Sequence, residues 1–544
     1  METYKQSVKE YARRTLWVHA VDSLTVHRRE TRVLRESLIR RMWDYAFEDF
    51  LLKFKAVSTV DERILQSWCD FADATYGDRR PQDLRIAYLC GPEPENDLTI
   101  LKELGVLTEN VWAFEAKTEI YRSALERAKK AFPSLKIFPG SIDDFLELNS
   151  TPFDIIYLDF TAPLFSRAAK PYASLHAVFD RQALSELSAL IVTTSEPDPS
   201  DEAIDFLTSY HYSQAWVEQG LFKEPLPEET TAEFGSGPIL HPLDRDEFRW
   251  KVRDNFPEAY SAFVTQYPNV YASLVQPGMR VILNKSARKH LFAGDTAFAE
   301  QEKQLRDLSW MLSNSSETDE ETDAAVATGF GGDFHMAREH YSLWHFLEEA
   351  QSQDTELTRA WMGEYLQPNP RINRLMGAKL AYQLRAAADG YPAVLSKQLL
   401  QSIRAIVATL PEKDGKQYFC NTPLPHLWLE LALNQLGFPH HQNVERHLRF
   451  RYQAKTRPMI VDSFIFDRCR ALYDWLPLVE LQGEDFMHLE RQMLARSCLN
   501  AIALQGYYIN PRQYWAALLC CLGERRWSRT ASLMRRRDIA SEEL

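Results

Sequence analysis

The spacing of apolar residues along this chain changes near residue 84. Before that point, between Thr31 and Val57, Val33, Leu34, Leu38, Ile39, Met42, Trp43, Ala46, Phe47 and Leu51 recur mostly three or four residues apart. Such a stripe predicts an amphipathic helix with one face in a core. Arg28, Arg29, Arg32, Arg35, Arg40 and Arg41 fall on or near the other side, which reads as a solvated face or as a surface for phosphate or a partner. Residues 1–80 are thus expected to be an N-terminal helical segment.

From Leu84 the pattern becomes short apolar runs separated by helical stretches. Leu84 to Cys90 reads as a buried strand ending at Gly91, and Asp97 to Leu104 as a helix stopped by Gly105. Asn110 to Glu115 is a second strand, followed by a helix through Ala131. Leu135 to Phe138, Phe153 to Asp159 and Ala189 to Thr194 are the next three, and Gly278 to Leu283 reads as a late edge strand. Strands alternating with helices at this rhythm predict a doubly wound α/β sheet over residues 81–295. Residues 220–275, broken by Pro225, Pro227, Pro238, Pro242, Pro257 and Pro268, read as an insertion or lid near the sheet's active edge.

Residues 296–333 read as a helix and a linker: Ser313 to Asp323 is almost wholly polar or acidic, and Gly329, Gly331 and Gly332 follow. Beyond it, 334–544 is expected to be a large all-helical domain, with helices including Ala337–Glu349, Ala378–Ala388, Val394–Leu410, Pro425–Leu436, Asp462–Trp475 and Glu484–Leu504.

Composition narrows the class. A chain of 544 residues with 45% hydrophobic and 26% charged residues has material for several globular cores. A formal net charge of -13 gives it no global attraction to nucleic acid, so any such contact needs a local basic patch. Seven scattered cysteines, without a C-x-x-C, argue against a disulfide framework or zinc site and for a reducing, cytoplasmic setting. No apolar signal core follows Met1, and no apolar run is long enough to span a bilayer.

The candidate chemistry lies at successive strand ends, where parallel sheets bind ligands. Gly91, followed by Pro92, lets the backbone turn sharply beside a ligand. Glu115 stands about 24 residues beyond it, where an acid accepts hydrogen bonds from ribose hydroxyls. Gly140 to Phe145 brings Asp143 and Asp144 to a base edge. The fourth strand carries Tyr157 and ends in Asp159, Phe160, Thr161, Ala162 and Pro163.

This order of features resembles the class I S-adenosylmethionine-dependent methyltransferases, over about 200 of the 544 residues. The resemblance implies a methyltransferase-like sheet that binds S-adenosylmethionine. In its terms Gly91 and Pro92 hold the methionine part, Glu115 the ribose, and Asp143 or Asp144 the adenine. Asp159 with Pro163 loosely resembles the Asp-Pro-Pro-Tyr loop of amino-methyltransferases acting on nucleic-acid bases. That implies a catalytic edge in which Asp159 accepts a hydrogen bond from the methyl acceptor and Tyr157 or Phe160 stacks a base. The first loop departs from the family in its single glycine and in Glu93 and Glu95, which repel a ligand carboxylate unless they turn away. The alternative reading is a degenerate methyltransferase fold that serves as a scaffold or ligand sensor in an assembly.

Partners are expected from the last third. Arg446, Arg449, Arg451, Lys455 and Arg457 interleave with His447, Phe450 and Tyr452, and Arg525, Arg526, Trp527, Arg529, Arg535, Arg536 and Arg537 follow. On helices such residues suit phosphate contact and base stacking, or a protein interface. His335, His340 and His345 lack the four-residue spacing that aims two histidines at one metal.

Overall fold

In the computed structural model, the described residues are 7–44, 61–149, 151–213, 244–286, 342–367, 373–378, 396–398, 401, 431, 433–454, 457–475 and 536–539. The expected linker, most of the expected C-terminal helices, and Lys455, Arg525, Arg526, Trp527, Arg529 and Arg535 lie outside them.

The architecture is mixed α/β around one nine-stranded sheet. In chain order come α1 (Ser7–Leu24), α2 (Arg28–Thr31), α3 (Glu36–Asp44), α4 (Glu62–Tyr76), β1 (Ile86–Leu89), α5 (Glu95–Glu103), β2 (Val111–Glu115), α6 (Thr118–Ala131), β3 (Lys136–Pro139), α7 (Ile142–Leu148), β4 (Phe153–Asp159), α8 (Pro171–Asp180), β5 (Leu184–Ser195) and α9 (Asp201–Tyr212). Then follow α10 (Arg245–Asp254), α11 (Phe256–Val270), α12 (Gln276–Leu283), α13 (Ser342–Ser352), α14 (Glu356–Leu366), β6 (His441–Gln442), β7 (Leu448–Gln453), β8 (Pro458–Asp467), α15 (Arg470–Tyr473) and β9 (Arg537–Ile539).

The sheet order is β3-β2-β1-β4-β5-β8-β7-β9, with β6 also on β8. Strands β1 to β5 are parallel, in the doubly wound order expected of their alternation with helices. Next to β5 comes β8, antiparallel to both β5 and β7. The expected all-helical region 334–544 is therefore interrupted by strands that complete the sheet. Leu448, Phe450 and Tyr452 alternate with Arg449, Arg451 and Gln453, which is the period of a strand, not of a basic helix. The run Met459-Ile460-Val461, with Phe464-Ile465-Phe466, is β-branched and aromatic, and it is buried in β8 rather than in a helix from Asp462.

Adjacent residues of a strand face opposite sides of its sheet. On β8, Ser463 meets His19 of α1, and Asp462 meets Thr265 of α11. So α1 and α11 cover opposite faces, and β5 between them is buried continuously from Leu187 to Ser195.

The other departures are local. Gly278 to Leu283 is the end of a helix, not an edge strand: Pro277 sits at its first turn, and a π-helical turn (Tyr271–Val275) joins it to α11. Of the expected lid, residues 244–275 are helices, and from Ala259 to Val275 every residue is buried in the body of the molecule. Residues 220–243 lie outside the described ones. Arg28 and Arg32, expected near solvent, are buried. Arg28 donates to the carbonyls of Tyr76 and Gly77, and Arg32 pairs with Asp73 over the Tyr76 ring. The chain breaks between α2 and α3, which turns these two arginines inward. Among the described residues, no helix is long and apolar enough to cross a membrane.

Candidate ligand site at the carboxyl edge

Strand β1 stands where the sheet reverses direction, with β2 on one side and β4 on the other. That is the topological switch point at which open α/β sheets take ligands. Gly91, Glu115 and Asp159 follow or end these three neighbouring strands.

Gly91 has φ 56, and a Cβ built on it meets no atom within 4 Å. Its backbone conformation, not crowding, calls for glycine there. The preceding Cys90 N–H bonds the Phe114 carbonyl at 3.2 Å, so Gly91 lies beside the end of β2. Pro92 is exposed. Glu93 and Glu95 turn to Arg127 of α6, and Glu93 also accepts from Asn96. The two carboxylates that distinguish this loop are thus occupied away from the strand end.

Glu115 is half-buried, and its Oε1 accepts from the Lys117 N–H at 2.8 Å. Its carbonyl accepts from Gly140 N–H, which draws the loop after β3 alongside. In that loop Ser141 caps α7 by accepting from Asp144 N–H, and the Asp144 side chain is exposed. Asp143 instead is half-buried beside Ser174 of α8, and burial raises its carboxyl above the usual range. Of the two acids expected at the adenine edge, Asp144 is the one open to solvent.

The loop after β4 is tightly held. Phe160 N–H donates to Thr193 O, Ser195 N–H to Ala162 O, and Pro163 O accepts from Ser166 N–H. Leu164 N–H donates to the Tyr260 hydroxyl, which in turn donates to Thr194. Phe160 and Pro163 remain half-exposed. Tyr157 does not: its ring is 4% exposed and meets Trp17 edge-on at 5.5 Å, and its hydroxyl accepts from Thr193. The structure brings Asp159, Phe160 and Pro163 to the edge and keeps Tyr157 beneath it.

Three residues of α1 pack at the edge, Lys9 at the surface with Arg13 and Trp17 beneath it, and none stood out in the sequence. Lys9, Arg13 and Trp17 are four apart, so they share one helix face. The Lys9 ammonium is 3.7 Å from Asp159. Arg13 pairs with Asp97 of α5 at 3.0 Å, and Trp17 donates its indole N–H to the same carboxylate. Burial raises the Asp97 pKa, against the pull of Arg13 and Trp17. The edge therefore sets two cations against two carboxylates, a pattern complementary to a zwitterion.

No family model matches this chain, and no curated protein matches it. Among solved structures it is similar to an S-adenosylmethionine-dependent methyltransferase from Clostridium acetobutylicum, at 14% identity and a TM-score of 0.17. The match covers 34% of this chain and 65% of that one, so it spans less than two thirds of the other protein's length.

Proposed function

We propose that the carboxyl edge of β1, β2 and β4 binds S-adenosylmethionine, and that the protein is a methyltransferase whose favoured acceptor is nucleic acid. The observation that carries this reading is Glu115 at the end of β2, beside a positive-φ glycine at the end of β1, at the switch point of the sheet.

The residues present fit the cofactor. Gly91 leaves open space, and Arg127 holds Glu93 and Glu95 aside. Glu115 has a carboxylate oxygen to offer ribose hydroxyls. Lys9 and Arg13 are placed for a ligand carboxylate, and Asp97 and Asp159 for its ammonium. Bound there, the cofactor supplies an already activated methyl sulfonium. The chain's task is then alignment and exclusion of water. Asp159 accepts a hydrogen bond from the acceptor amine or hydroxyl, and Phe160 offers a ring for stacking. Nucleic acid as acceptor rests on the Asp159–Pro163 loop. Of the basic residues in and around β7, Arg451 pairs with Glu196 and Arg536 with the buried Asp462, while Arg457 meets Asp198 at the surface.

The second reading, a scaffold or sensor without transfer, is favoured by Lys9, which already occupies Asp159. Calorimetric titration with S-adenosylmethionine and S-adenosylhomocysteine separates the two. Micromolar binding, weakened at least tenfold by Glu115→Ala, supports the cofactor site, and methyl transfer to RNA or DNA then supports the enzyme. Binding without transfer favours the sensor. No binding at millimolar ligand by folded protein removes the cofactor reading.

A further inference from the structure

Strand β5 begins at Leu184, and β8 ends at Asp467 opposite Leu187, at the other edge of the sheet, roughly 20–30 Å along β5 from the pairing of Asp159 with Thr193. Three arginines gather there, two of them over one ring. Arg280 of α12 and Arg470 of α15 place their guanidinium carbons 4.2 and 3.9 Å from the centroid of Phe438. Arg468, at the end of β8, donates to Leu184 O at 2.6 Å and to His440 Nε2 at 3.2 Å, and lies 3.4 Å from Glu186. Among the described residues, two carboxylates answer the three cations: Glu186, and Asp474, which pairs with Arg470. Among the described residues, the Arg280 guanidinium has no ion pair and no hydrogen bond, only the Phe438 ring.

His440 adds a second, independent sign. It is fully buried, and because its Nε2 accepts from Arg468, the neutral ring carries its proton on Nδ1. Among the described residues, that N–H has no acceptor. A buried donor without a partner is costly and needs an explanation. Burial, reinforced by Arg468, pushes the His440 pKa well below its usual value, so protonation is no remedy. The guanidinium pKa values fall as well, that of Arg470 to about 10, through burial first and, at Arg280 and Arg470, also through repulsion by neighbouring arginines.

We propose that Arg280, Arg468, Arg470 and His440 form a binding site for a phosphate group, either inorganic phosphate or a phosphate monoester. A tetrahedral oxyanion offers acceptors in several directions, which suits guanidinium groups carried on α12, on α15 and at the end of β8. A carboxylate offers only two oxygens in one plane. The site lies at the amino edge and is independent of the cofactor reading.

The test is titration of the full chain at pH 7.5 with inorganic phosphate, glycerol 3-phosphate and acetate at matched ionic strength. Phosphate or its ester should bind with a Kd below about 1 mM, a scale equivalent to about 4 kcal/mol, and acetate at least tenfold more weakly. Arg280→Gln removes a side chain that makes no hydrogen bond, so it should preserve the fold and weaken binding at least tenfold. Glu115→Ala should bind phosphate as the wild type does. Tighter binding of the ester identifies an esterified ligand, and equal binding identifies the free ion. No heat and no thermal shift at 10 mM phosphate relative to chloride overturns the proposal. So does unchanged affinity in folded Arg280→Gln.

Discussion

Mild acidification should weaken this protein through His211, and the size of the effect follows from its surroundings. His211 is 1% exposed on α9, and its Nε2–H donates to Ala259 O at 2.9 Å. Burial lowers its pKa from 6.5 to about 4. The unfolded chain therefore takes up a proton near pH 6.5 that the folded chain refuses, and stability falls as pH drops between the two values. Between pH 7.5 and 5.5 this difference amounts to about 1.3 kcal/mol, and the full shift, at about 1.36 kcal/mol per unit, to about 3.4 kcal/mol below pH 4. Other groups titrate too. His19, lowered to about 4 by burial, acts in the same direction, whereas Asp97, Asp180 and Asp467, raised by burial, oppose it. The quantity to measure is thus the difference between wild type and His211→Gln in urea unfolding at the two pH values. Wild type should lose about 1.3 kcal/mol more than the variant. Parallel pH dependences would refute the reasoning, and a steeper loss in the variant would mean that the imidazole is charged in the fold.

Two substitutions test packing. Asp462 is fully buried, accepts from His447 and Thr265, and pairs with Arg536 at 2.8 Å, which holds its carboxyl well below the usual range. Arg536→Met strands that charge and should cost about 3–5 kcal/mol in urea unfolding at pH 7.5, while Arg536→Met with Asp462→Asn should cost less than the sum of the two single changes. A Cβ on Gly278 would run into the backbone carbonyl of Gly377. Gly278→Ala should therefore lower the melting temperature, by about 1–3 kcal/mol of stability, whereas an uncrowded helical glycine would gain about 1 kcal/mol.

The parallel half of the sheet was legible because each strand carries its own signal. Phe153–Asp159 was expected and found at the same bounds, and β5, expected over Ala189–Thr194, extends to Leu184–Ser195. The antiparallel strands were missed for a different reason. β8 has a strand-like composition, but nothing local says that it lies against β5 across the intervening chain. In β7 the alternating arginines suggested a phosphate surface, when the alternation itself was the strand signal. At the site, Gly91, Glu115 and Asp159 were readable from their places after apolar runs. Asp143 was not, because its turn towards Ser174 depends on how α7 packs on α8. Lys9, Arg13 and Trp17 had a readable four-residue spacing, but only the approach of α1 to β4 and α5 shows what they face.

The pairing of β5 with β8 also sets a schedule for synthesis. Leu190 lies opposite Phe464, and a ribosome adding roughly 5–20 residues per second needs about 14–55 s to travel from one to the other. Throughout that interval β5 is the outermost strand of a half-built sheet, long, apolar and with a row of open backbone groups, which is the kind of edge that recruits other chains. Recovery of folded protein should therefore depend on how that edge is guarded during translation. Slower elongation or loss of the segment carrying β8 would each prolong its exposure and favour aggregation over assembly.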